Sequence, residues 1–190
     1  QELWRAARSA SGTVVEAYLQ SRGYIGSIPE SLRFHPRLNH GPSGRTFPAM
    51  VAAIMLYPHR NVEAIHRTYL DHDGEGKALV EPAKMMLGAA GGGAVRFGAF
   101  AGDTLWVAEG IETSLSIFLA TGKPTWATLS TSGMKAVELP PPEQVPHLYI
   151  AADHDAAGIR AAETLAAREL ALGRKVHIAM PPTLGQDFND

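Results

Sequence analysis

The sequence predicts an α/β protein: a parallel sheet with flanking helices over residues 101–190, preceded by a smaller α+β subdomain over residues 1–100. Three observations carry this. From Thr104 onward, short apolar runs alternate with helical patterns. Those runs are continuous, as in strands covered on both faces, which is how parallel sheets are buried. Earlier, two apolar runs (residues 47–56 and 62–70) flank Tyr57-Pro58-His59-Arg60-Asn61, the pattern of an antiparallel hairpin.

In order, residues 13–22 predict a helix with Val14, Val15, Tyr18 and Leu19 on one face and Gly23 as its stop. Residues 27–44 are rich in Pro, Gly, Ser and Asn, so mostly loop is expected, with a short strand at 32–35. The hairpin follows, then a polar turn at 71–76. Gly91-Gly92-Gly93 leads as a link into a last short strand at 94–97. In the second half, strands are expected at 105–108, 125–129, 147–152 and 175–180. Helices are expected at 112–120, after the turn at 130–133, and over the Ala-rich stretch 156–172, ended by Gly173.

Composition narrows the function classes. The chain has 190 residues, 45% hydrophobic and 19% charged, ordinary for a globular protein with a core. Every apolar run is interrupted before the roughly 18 residues a membrane span needs, so no membrane partner is expected. Zero cysteines exclude disulfides and Cys-ligated zinc and fit a reducing, cytoplasmic compartment. Net charge is −2, but residues 1–100 carry eleven Lys and Arg against eight Asp and Glu (+3), and residues 101–190 carry six against eleven (−5). An acidic half beside a mildly basic one suits a metal site adjoining a polyanion track.

The acids fall where a site should form, at the carboxyl ends of parallel strands. Glu109 follows the apolar run ending Val107-Ala108, Asp153 and Asp155 follow Ile150-Ala151-Ala152, and Asp187 lies just beyond the last predicted strand. Carboxylates a few ångströms apart repel, and a bound cation removes that repulsion. Hard oxygen ligands in open geometry suit Mg²⁺ or Mn²⁺, which keep waters and accept phosphate oxygens. If residues 153–155 are extended, both Asp side chains face one ion. Gly158 lets the next helix start close beneath.

Val107-Ala108-Glu109-Gly110-Ile111-Glu112-Thr113, Ala152-Asp153-His154-Asp155-Ala156-Ala157-Gly158 and Gly185-Gln186-Asp187-Phe188-Asn189-Asp190 together resemble the Toprim family of bacterial-type primases, topoisomerases and certain nucleases. The resemblance implies a Rossmann-like Toprim fold over about residues 103–190. It implies Glu109 as metal ligand or general acid/base, Asp153 and Asp155 as metal ligands, and Asp187 in support. Many cellular primases place an Asp four residues after the Glu; here Thr113 stands there. Glu112 either substitutes as a ligand or faces solvent. The chain ends inside the last motif, as expected of a piece of a longer protein.

The first half resembles the N-terminal part of a primase RNA-polymerase domain of the phage, plasmid and integrative-element variety. The likeness rests on Tyr18-Leu19-Gln20-Ser21-Arg22-Gly23-Tyr24, Arg45-Thr46-Phe47-Pro48-Ala49-Met50-Val51, Ile65-His66-Arg67-Thr68-Tyr69-Leu70-Asp71 and Pro82-Ala83-Lys84-Met85-Met86-Leu87-Gly88. Arg45, Arg67 and Lys84 are the candidates for nucleotide and nucleic-acid contact, with His66 in support and Tyr69 either stacking a base or buried. The turn at 130–133 either offers backbone N–H groups to a phosphate or is a plain turn. Together the resemblances imply a primase catalytic domain acting on a single-stranded DNA template with nucleoside triphosphates, beside a fused or recruited replicative helicase. The alternatives are a Toprim nuclease and a catalytically inactive nucleic-acid-binding module.

Overall fold

The structure, a computed structural model, describes residues 2–99 and 102–183. The chain divides into two compact units: residues 1–54 with 61–90, and residues 55–60 with 91–190.

The first unit is built on an antiparallel five-stranded meander, β1 (Arg8–Ser9), β2 (Leu32–His40), β3 (Arg45–Ile54), β4 (Ala64–Tyr69) and β5 (Lys84–Gly88), in that spatial order. A short helix α1 (Glu2–Ala6) precedes β1, and α2 (Val14–Ser21) lies between β1 and β2. The predicted helix at 13–22 is α2. Thr13 caps it by accepting from the Val15 N–H, and Val15, Tyr18 and Leu19 are buried. Gly23, at φ 84°, ends it by donating to the Gln20 carbonyl.

The predicted hairpin is β3–β4, paired Ala49↔Tyr69 through Ile54↔Ala64. As the central strand, β3 is buried from Phe47 to Ile54. The strand expected at 32–35 instead runs on to His40, past Pro36, because the register shifts between His35 and Leu38. A bulge there absorbs a proline that cannot donate to the ladder. β5 is a strand that periodicity does not announce. It pairs with β4 only on one side, and its residues are largely exposed.

The second unit is the parallel arrangement the sequence predicts. Its sheet runs β10 (Lys175–Ala179), β9 (His147–Ala151), β7 (Thr104–Ala108), β8 (Thr125–Ala127), β6 (Val95–Phe97). The first four are mutually parallel, and β6 joins β8 antiparallel as an edge strand. Thus the short strand expected at 94–97 belongs to this sheet. Arg96 anchors residues 55–60 to it. The guanidinium lies 4.3 Å over the Trp126 ring and donates to the Met55 and His59 carbonyls. Burial first, then the nearby Arg60 charge, lowers the Arg96 pKa to about 10, so it remains charged at neutral pH.

Helices α3 (Ile111–Thr121), α4 (Thr131–Ala136) and α5 (Ala156–Ala171) connect the parallel strands. α5 buries Gly158, Ala161, Ala162, Leu165 and Ala166, a stripe at helical spacing whose small side chains bring it close to the sheet. It packs with Leu105, Val107, Leu148 and Ile150. On the opposite face, Ile117 of α3 packs on Ala108 and Ala151. Among the described residues no helix is long and apolar enough to cross a membrane.

Candidate functional site

The order β10-β9-β7-β8 places a switch point between β7 and β9. From β7 the chain crosses to β8 on one side; from β9 it crosses to β10 on the other. Loops leaving two such strands diverge and open a crevice at their carboxyl ends. Ala108 and Ala151, the last residues of β7 and β9, are register partners. The two strands therefore end flush, about 4.8 Å apart as neighbouring strands are. Glu109 is the next residue on one and Asp153 the second on the other, and both are half-buried.

The backbone of Glu109 is fixed from the next loop. Its carbonyl accepts from Leu129 N–H at 2.8 Å, and the Ala108 carbonyl accepts from the Thr128 amide and hydroxyl. Leu129 makes its bond with φ at 71°, the one described non-glycine residue with positive φ. An L-residue held there costs about 1–2 kcal/mol, so the surrounding packing enforces this contact. Sequence reasoning did not find Leu129, because no composition signal marks a strained leucine.

Residues 153–155 are not one continuous extended run as expected, although Asp155 itself is extended at φ −128° and ψ 166°. The Asp155 N–H donates to the Asp153 carbonyl at 2.8 Å, closing a tight turn. Asp155 is the N-cap of α5: its Oδ1 accepts from Ala157 N–H at 2.8 Å and Gly158 N–H at 2.7 Å. The cap uses Oδ1 alone, so Oδ2 is the Asp155 oxygen available to a cation. Gly158 plays the expected part, since a Cβ there would lie 2.6 Å from the Asp153 carbonyl oxygen. His154 Nδ1–H donates to the Pro181 carbonyl at 2.9 Å, which ties the chain beyond β10 to this turn.

Glu112, left open by the sequence, does not face solvent. It is 7% exposed in the first turn of α3, beside Thr113 and Ser114, which are also buried. Asp187 lies outside the described residues. Among the described residues, no group of three or more His, Asp and Glu side chains is arranged to hold a metal ion. What the fold does supply is a set of oxygen donors (Glu109, Asp153, Asp155 Oδ2) on two neighbouring strand ends, with donor chemistry that fits a hard divalent cation.

Cationic candidates of the first unit divide between two sheet faces. Arg45 and Arg67 share the face of Phe47, Val51 and Tyr69, whereas His66 and Lys84 alternate to the other. Arg45 is exposed, its guanidinium 4.9 Å over the Phe47 ring. Arg67 is internally engaged, donating to the Tyr69 hydroxyl at 3.3 Å and the Met86 carbonyl at 3.2 Å. Tyr69 is fully buried and donates to the Asn39 carbonyl at 2.8 Å. Burial raises its pKa, with Arg67 opposing; it is a core residue. His66 is 4% exposed and Lys84 is exposed on β5. The turn at 130–133 is the start of α4, where Ser130 Oγ already accepts from Gly133 N–H.

With this geometry in place, comparison with known proteins defines the class first: residues 104–190 match the Toprim domain. Residues 1–97 match a family described as a domain of unknown function, DUF7146, and the chain belongs to that family. No curated protein matches the chain. Several solved structures share its fold. A DNA primase domain from Pseudomonas aeruginosa aligns with TM-score 0.60 at 16% identity, over 99% of this chain and 71% of that one. The zinc-binding and RNA-polymerase domains of the Aquifex aeolicus primase align with TM-score 0.60 at 17% identity, over 92% and 51%. A DnaG primase catalytic domain bound to single-stranded DNA aligns with TM-score 0.61 at 16% identity, over 98% and 71%. The chain therefore has the fold of a bacterial-type Toprim primase catalytic core, and it spans about half of the Aquifex chain.

Proposed function

We propose that this chain is the catalytic part of a DNA primase, making short RNA primers on single-stranded DNA. The observation that carries the reading is the placement of Glu109 and Asp153 on flush ends of β7 and β9 at the switch point, within a fold aligned along nearly its full length with primase cores. Glu109, Asp153, Asp155 and Asp187 would hold Mg²⁺ or Mn²⁺. When bound, such ions neutralise triphosphate charge and make a 3′-hydroxyl more acidic. The protein's own residues orient and neutralise. Glu109, its backbone held by Leu129, is placed to position the reacting groups or to accept the hydroxyl proton. Asp153 and Asp155 counter the positive charge at the site, and Arg45 and Lys84 offer surface cations to template or nucleotide phosphates. A replicative helicase, fused or recruited, is the expected partner.

One observation favours a second reading, a Toprim module that binds nucleic acid without catalysis: Asp155 spends one carboxylate oxygen on the α5 cap. Both readings meet in one experiment. The chain is incubated with single-stranded DNA, labelled ribonucleoside triphosphates and Mg²⁺ or Mn²⁺, with Glu109→Gln as control. Labelled oligonucleotides that vanish in the variant support the primase. Metal-dependent shortening of the template would instead make it a nuclease, and binding without either product would make it the inactive module.

A further inference from the structure

His40 is fully buried at the end of β2, and both of its ring nitrogens are bonded. Nδ1 lies 3.3 Å from the Ser43 amide nitrogen and 2.8 Å from Ser43 Oγ, and Nε2 lies 3.1 Å from the Pro82 carbonyl oxygen. These partners fix the tautomer. An amide N–H only donates and a carbonyl only accepts, so Nδ1 is the acceptor and Nε2 carries the proton. Ser43 Oγ–H therefore donates to Nδ1, while its oxygen accepts from the Arg45 N–H at 3.4 Å. Hydrogen bonds thus run in one direction from Arg45 through Ser43 and His40 to Pro82, joining the β2–β3 turn to a segment 42 residues beyond His40.

The side chain of Arg45 leads back to the same histidine. His40 and Arg45 are register partners where β2 and β3 meet, so they share one face of the sheet. The Arg45 guanidinium lies over the Phe47 ring, and that ring packs edge-on against His40, with centroids 6.2 Å apart at 80°. Tyr69 also meets His40 edge-on, with centroids 4.8 Å apart at 82°. Between the two partners, Gly41-Pro42-Ser43-Gly44 is exposed throughout. Its backbone is closed by the Gly44 N–H on the His40 carbonyl at 2.9 Å, and the Nδ1 bonds add a hold from the core. A buried, uncharged side chain cannot touch a phosphate, but it can decide where a neighbouring cation is presented. We infer that His40 is a positioning residue for nucleic-acid binding: its unprotonated Nδ1 holds the 41–44 turn in the form that presents Arg45 to a phosphate of the single strand. The inference rests on reading Arg45 as a phosphate contact, and every residue it invokes belongs to the first unit.

The test measures binding of a labelled oligothymidylate to the chain as a function of salt, beside urea unfolding of each variant. Arg45→Ala should lower the salt slope by about one. His40→Phe keeps a buried ring but offers no acceptor; it should lower the slope by the same amount, with no further loss when Arg45→Ala is added. His40→Asn supplies a side-chain oxygen that caps the same turn; it should lose stability, through the missing ring, yet keep the parent slope. Ser43→Ala, at an exposed position, removes the Oγ between His40 and Arg45 without touching the core, and should lower the slope by about one. Salt slope and stability therefore come apart, which a histidine that only filled the core would not produce. A slope that simply follows stability across the His40 variants, or that stays at the parent value in both His40→Phe and Ser43→Ala, would overturn the positioning role and leave the functional reading standing. An unchanged slope in Arg45→Ala would overturn the positioning role together with the reading of Arg45 as a phosphate contact.

Discussion

Asp155 caps α5 and is proposed to hold metal, and a pair of substitutions can separate the two roles. Asp155→Ala removes the α5 cap and should cost about 1 kcal/mol in urea denaturation. Asp155→Asn keeps a capping oxygen and should leave stability nearly unchanged while abolishing primer synthesis, because the charge that holds metal is gone. An Asn variant that still makes primers would remove Asp155 from the metal site. Sequence put both Asp residues in an extended run, which period-two reasoning favours; the backbone bond from Asp155 to Asp153 is a local turn that such reasoning cannot see. Glu112 was undecidable from its position alone, because which side of α3 is buried depends on the packing of that helix. For the cations, burial decides. Arg45→Ala should lower the salt slope of single-strand binding by about one with little change in stability. Arg67→Ala should lower stability, since Arg67 bonds Tyr69 and Met86 inside its unit.

At the scale of elements, Gly158 sets how closely α5 can start beneath the Asp153 turn. Alanine is the better helix former by about 1 kcal/mol, so a surface helix would gain from Gly158→Ala. Here the added Cβ meets the Asp153 carbonyl oxygen at 2.6 Å, and the variant should instead lose about 1–3 kcal/mol. A rise in stability would show that α5 shifts freely and that the turn is not held by it. The far end of α5 is fastened differently. Glu169 and Arg174, both 2% exposed, pair at 2.8 Å, and Arg174 also donates to the Val145 and Pro140 carbonyls. Arg168 adds bonds to the Lys135 and Val137 carbonyls. Glu169→Ala should cost about 3–5 kcal/mol by leaving a buried guanidinium without its counter-charge, measured by thermal or urea unfolding.

That network was invisible in the sequence because the carbonyls that Arg168 and Arg174 bond lie 29 to 34 residues away along the chain. The elements themselves were largely legible. Continuous apolar runs gave β7, β8, β9 and β10, strand–helix alternation gave α3, and helical patterning with Gly23 and Gly173 as stops gave α2 and α5. β5 was missed because an exposed edge strand carries no burial pattern, and β2 was cut short because Pro36 reads as a stop unless a bulge is foreseen. α1 and β1 are too short to leave a period.

Taken whole, the molecule joins a mildly basic half to an acidic one, at a net −2. Such a chain has little long-range attraction for a polyanion, so single-strand binding should be weak in chelator and strengthen when divalent metal neutralises the acidic edge. Equal affinity with and without metal would separate nucleic-acid binding from the carboxylates. The primase-core fold stands on structure and comparison together, whereas the proposed metal centre is argued from the switch-point positions of Glu109 and Asp153. Calorimetric titration of the chain with Mn²⁺ therefore bears most directly on the account. It should be run beside Glu109→Gln, Asp153→Asn and, as a control at the opposite end of β7, Asp103→Asn. Binding retained in Asp103→Asn and lost in the other two is the predicted result; binding equal in all four proteins, or absent from the parent chain, would contradict it.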